Sequence, residues 1–157
     1  MNTHIGLTAE QWMGAGRILN AVLATEYALY TATRGAHWNV VGPSFFELHK
    51  FFEQQYEALD DIIDSVAERA RSLDVAAASA MHDYVQLAYG RIELGSDWTA
   101  AQLLSGLLSG HETLIRHLRG NLGVLSEIGD DGTLDFLTGL MEQHEKMAWM
   151  LRAAVPS

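Results

Sequence analysis

HWNVVGPSFFELHKFFEQQYEALDDIIDSVAERARSLD, residues 37–74, contains a single break. Gly42-Pro43 supplies it, because proline cannot continue the preceding helix and pre-sets a turn. Ser44 and Glu47 then have the S/T-x-x-E spacing of a capping box. From Phe45 to Leu73 there is no glycine or proline, and Phe45, Leu48, Phe52, Leu59, Ile63 and Val66 recur at helical spacing. The pattern predicts one long amphipathic helix that turns back directly on the element ending near His37.

The same signals extend outward. TAEQ, Thr8–Gln11, is a second capping box, and an apolar-periodic stretch follows it to about His37. TAAQ, Thr99–Gln102, opens a third long helix that reaches about Ile128, with Gly106, Gly110, Gly120 and Gly123 softening it. GDDGT, Gly129–Thr133, reads as a turn, and a fourth helix runs from Leu134 until Pro156. Between helices two and three, Ala76–Tyr89 reads as a short extra helix within a long connection. The fold class predicted is all-α. It is one ferritin-like domain over residues 1–157, a four-helix bundle whose second helix pair is reached by a crossover.

Composition narrows the function. With 48% hydrophobic and 19% charged residues the chain is globular rather than disordered. No cysteine is present, so thiolate ligands and disulfides are excluded. The opening MNTHIGLTAEQW lacks a basic segment followed by an apolar one, and no apolar run approaches membrane-span length. A cytoplasmic protein without a membrane partner is expected. Net charge is −10, with two lysines and eight arginines and no basic tail. Phosphate-driven DNA binding is therefore not expected at neutral pH and physiological salt. The acidic excess serves solubility or attracts cations.

Two i,i+4 pairs on helix two carry metal-ligand chemistry: His49 with Glu53, and Asp64 with Glu68. Each pair alone reads more readily as solvated surface, since charged residues are mostly exposed. Together they share one stripe, since Glu53, Asp64 and Glu68 fall about 40°, 60° and 100° from His49 around the axis. His49 and Asp64 are nevertheless about 22 Å apart along it, beyond the reach of one ion. The E-x-x-H pairs of an ordinary intra-subunit di-iron bundle do not occur. The remaining arrangement is a second copy of the helix, antiparallel across a twofold axis, which would create two identical shared sites. His37 adds a ligand if the end of helix one lies beside the start of helix two. Histidine with carboxylate suits Fe(II), with Mn(II) and Zn(II) as competitors. His4, His82, His111, His117 and His144 match no ligand spacing and read as core or surface histidines.

The ordered motifs H-W-N-x-x-G, L-H-x-x-F-E and D-x-x-A-E-R in residues 37–74 closely resemble the signature of the Dps family, the mini-ferritins also called DNA-binding proteins from starved cells. The resemblance implies a hollow dodecamer with ferroxidase centres at dimer interfaces. His37, His49 and Glu53 would come from one chain, and Asp64 and Glu68 from its mate. Glu53 stands where the family more often has aspartate. Trp38 is similar to the tryptophan beside the family's site, an electron relay or an interface aromatic. Asp130, Asp131 and Asp135 resemble the acidic lining of iron-entry pores; for Asp130 and Asp131 a turn and helix N-terminus is an equal reading, and one residue can serve as both. The activity implied is oxidation of Fe(II), preferentially by hydrogen peroxide, and storage as a ferric oxyhydroxide core. The alternative is a structural, nucleoid-associated or surface-binding protein on the same scaffold with an idle metal site.

Overall fold

The computed structural model describes residues 4–92, 94–95 and 97–155. Four long helices and one short one are formed: α1 (Ala9–Asn39), α2 (Phe45–Ser72), α3 (Met81–Leu87), α4 (Ala100–Ile128) and α5 (Asp131–Ala154). The α1–α2 and α4–α5 pairs form the two most extensive packing interfaces, and α1 against α4 is the main contact between pairs. This is the expected ferritin-like bundle. Its interior is a continuous apolar cluster in which Leu19, Leu29, Leu59, Val66, Leu114 and Leu137 are fully buried.

Both outer capping boxes form. Thr8 and Thr99 take extended backbone, accept from the amides of Gln11 and Gln102, and receive a glutamine side chain on their own amide. The box at Ser44 does not form. Its ψ of 24° is far from the extended value, so its hydroxyl makes no capping bond. Gly42, at φ +113°, carries the turn instead, and its carbonyl accepts from the Phe45 amide.

Three boundaries differ from the sequence-based expectation. α1 continues to Asn39 rather than ending near His37. α5 begins at Asp131 rather than Leu134, because Asp130 caps it through the Thr133 amide, leaving only the left-handed Gly129 (φ +79°) and Asp130 as the connection. The crossover helix covers only Met81–Leu87. Asn20 holds the preceding segment extended by accepting from the Ala78 amide (2.8 Å) and donating to the Ala76 carbonyl (3.0 Å). Tertiary hydrogen bonds override the helix propensity of the alanine run there. The glycines of α4 leave it unbroken; at Gly110 the missing side chain makes room for Leu29 and Ile92.

Tyr84 anchors α3 by stacking on Tyr27, with ring centroids 4.3 Å apart, and donating to the Ala78 carbonyl. Burial, with Tyr27 beside it, pushes its phenol up to about 12. An alkaline absorbance titration is therefore expected to show a late-ionising tyrosine that disappears in Tyr84→Phe. Thr99→Ala is expected to lower stability by about 1 kcal/mol in thermal unfolding, and Ser44→Ala by less than about 0.5 kcal/mol.

Candidate metal centre

The Gly42-Pro43 turn brings the last turn of α1 against the first turns of α2. There His37 and His49 stack with ring centroids 3.7 Å apart and planes 20° from parallel. His37 Nδ1 lies 2.8 Å from the His49 carbonyl, and His49 Nδ1 lies 2.8 Å from the His37 carbonyl. A carbonyl only accepts, so each Nδ1 must carry the proton. In the neutral form of either ring Nε2 is then the lone pair available to a metal, the arrangement in which a backbone acceptor fixes tautomer and orientation. Phe45 covers His49, and Tyr56 meets His37 edge-on at 5.3 Å.

Glu53 is half-buried one turn beyond His49. Among the described residues no three histidine or carboxylate side chains gather at one point within a single chain. The fold thus brings His37 and His49 together, while Glu53 does not close a three-ligand cluster with them. Asp64 and Glu68 are exposed further along α2. Asp64 lines an open groove of about 720 Å³ with Asp60, Asp61 and Tyr84. Beside the histidine pair three large apolar residues, Trp38, Val41 and Phe46, are each more than three-fifths exposed. The Arg34 guanidinium lies 5.3 Å from the Trp38 ring and 4.9 Å from the Tyr56 ring, and donates to the Tyr30 hydroxyl.

The three aspartates near the start of α5 separate by environment. Asp130 is buried, accepts from the Thr133 amide and pairs with Arg69 of α2 at 3.0 Å. Its carboxylate thus caps α5 and ties that helix to α2. Asp131 and Asp135 remain exposed.

The bundle interior holds a polar cluster that ligand spacing in the sequence does not reveal. Glu26, His111 and His144 are wholly buried and hydrogen-bonded to one another in the bundle. The available signal was positional, since His111 continues the apolar spacing of Leu104, Leu107, Leu114 and Leu118.

Comparison with known proteins gives a consistent picture. The model of the ferritin-like domain matches residues 17–156. An uncharacterized low temperature-induced protein of Nostoc is 44% identical over 153 residues, covering 97% of this chain and 86% of that one. DNA protection during starvation protein 2 of Bacillus anthracis is 31% identical, covering 87% and 92%. Among solved structures, a Dps protein of Vibrio cholerae, described as a member of a broad superfamily of ferritin-like diiron-carboxylate proteins, superposes with a TM-score of 0.90 at 34% identity. It covers 99% of this chain and 98% of that one. DpsC of Streptomyces coelicolor gives 0.94 at 26% identity, covering 100% and 92%.

Asp130→Ala removes both the α5 cap and the partner of Arg69, so a loss of about 2 kcal/mol is expected in thermal or denaturant unfolding. Asp131→Ala is expected to stay within about 0.5 kcal/mol.

Proposed function

Because the chain belongs to the Dps family of ferritin-like proteins, we propose that it is a ferroxidase and iron store whose catalytic centres lie between subunits. One observation carries this reading. His37 and His49 hold each other through Nδ1, which leaves Nε2 to a metal, yet among the described residues no third ligand of the same chain completes the cluster. The exposed apolar residues Trp38, Val41 and Phe46 beside that pair are suited to burial against a partner.

In this reading two chains pair antiparallel through α2. His37, His49 and Glu53 of one chain face Asp64 and Glu68 of the other, and the twofold axis repeats the site. Fe(II) is the substrate. Neutral imidazoles fix it at Nε2, and the carboxylates offset its charge. Two ions held at one centre each give one electron to hydrogen peroxide, whose O–O bond breaks to water-level oxygen without release of hydroxyl radical. The Fe(III) product hydrolyses, releases protons and deposits as ferric oxyhydroxide inside a hollow dodecamer. Asp131 and Asp135, both exposed, would attract incoming cations at the entry pores. Trp38, held beside Arg34, is either an electron relay or an interface aromatic. The cytoplasm is the proposed compartment; among the described residues no helix is long and apolar enough to cross a membrane. With a net charge of −10, DNA is not a proposed partner at neutral pH.

Subunit complementation tests this directly. His49→Ala and Asp64→Ala homo-oligomers should each lose rapid oxidation of anaerobically loaded Fe(II) on addition of peroxide. Co-assembled at equal amounts, random pairing leaves one intact centre in each mixed dimer, so about one quarter of the wild-type rate should return. Zero recovery in verified mixed assemblies would remove the shared-site reading. Replacing peroxide by oxygen in the same assay decides the oxidant, and full oxidation by the Asp64→Ala, Glu68→Ala double variant would point to an idle interface.

A further inference from the structure

Glu26 of α1, His111 of α4 and His144 of α5 form a linear chain across the middle of the bundle. His144 Nε2 lies 2.8 Å from Glu26 Oε1, and His144 Nδ1 lies 3.0 Å from His111 Nδ1. All three side chains are fully inaccessible to solvent. The far ends of the chain, Glu26 Oε2 and His111 Nε2, have no hydrogen-bond partner.

The geometry suits protons rather than a metal ion. The two contacts use opposite edges of the His144 ring, so the groups do not converge on a common point, and no three-ligand cluster occurs among the described residues. Each short contact requires one proton between its atoms. The triad also spans the interface between the α1–α2 and α4–α5 pairs, where packing is less extensive than within either pair. Around it, the buried positions of α2 contain no titratable side chain; Gln55 is the only polar one. On α1 the other buried ionisable residue, His37, lies eleven positions away at the helix end. On α4 and α5, His111 and His144 are themselves the only buried ionisable groups, while the adjacent Glu112 and Glu145 point outward to Arg152 and Arg119. α3 buries none.

We propose that Glu26–His144–His111 is an acid-sensitive latch between the two helical hairpins, stable while His111 is neutral and released when a further proton is forced onto it. Burial, and secondarily His144 beside it, holds the His111 imidazole well below its ordinary range. The sign follows from linkage. The unfolded chain protonates this histidine below about pH 6.5, but the folded chain does not until far lower. The stabilisation is complete above about pH 6.5 and falls by up to about tenfold in the unfolding equilibrium per pH unit below it.

The test compares the intact wild-type assembly with His111→Phe, which keeps the ring volume and removes the titrating group. Proton uptake on thermal unfolding is read by calorimetry in buffers of different ionisation enthalpy. At pH 5.5 the wild type should take up about one more proton per chain than the variant, and at pH 8 the two should agree. Equal uptake at both pH values overturns the latch. If the variant does not assemble, nitrogen-15 NMR of the histidine-labelled wild type decides. A neutral His111 at pH 5.5, coupled through a shared proton to His144 Nδ1, supports the proposal, and a His111 that charges near pH 6.5 overturns it.

Discussion

The reciprocal bonds between His37 and His49 are the constraint on which the candidate centre depends. Each ring donates to the other residue's carbonyl, so one interaction fixes the α1–α2 turn, both tautomers and both free Nε2 atoms. An isolated histidine on a helix would rotate and leave its tautomer to solvent. Here the polar lock and the proposed ligation do not compete, because the Nδ1 donors that hold the turn are the ring edges opposite the Nε2 atoms proposed for the metal.

That lock also limits what one chain can do. It presents two nitrogens at the end of a rigid hairpin, and α2 carries Asp64 and Glu68 away from them at the fixed rise of a helix. Rigidity therefore separates the donors within a chain, while the amphipathic stripe keeps them facing the same way. Under the proposed shared centre a second copy would resolve the conflict without new sequence, since twofold symmetry would bring Asp64 and Glu68 of one chain to the histidines of the other. The exposed apolar residues around the turn have the character of an unfinished interface.

The interior triad answers a different requirement. In a bundle with an otherwise apolar core, a buried carboxylate is tolerable only when hydrogen-bonded. Glu26, His144 and His111 satisfy one another in sequence and leave the two chain ends open. A network of this kind specifies how the two hairpins dock, since apolar contacts alone permit sliding, and it makes their docking sensitive to protons.

The all-α class, the four long helices and the long crossover were legible in residues 37–74 and in the boxes at Thr8 and Thr99, because helical periodicity and capping are local properties. So was the carboxylate stripe of α2, which follows from angle and rise alone. The length of the crossover helix was not, since Asn20 holds residues 76–78 from a distant part of the chain; the Ser44 box and the start of α5 turn instead on local competition, from the positive φ of Gly42 and the Asp130 cap. Nor was the pairing of His111 with Glu26 through His144: Glu26 and His144 are 118 positions apart in the chain and meet only when the hairpins pack. By itself the sequence determined which side chains lie on which helix face. Tertiary structure decided which hydrogen-bonding edge each one has left to use, because that depends on partners brought from distant parts of the chain.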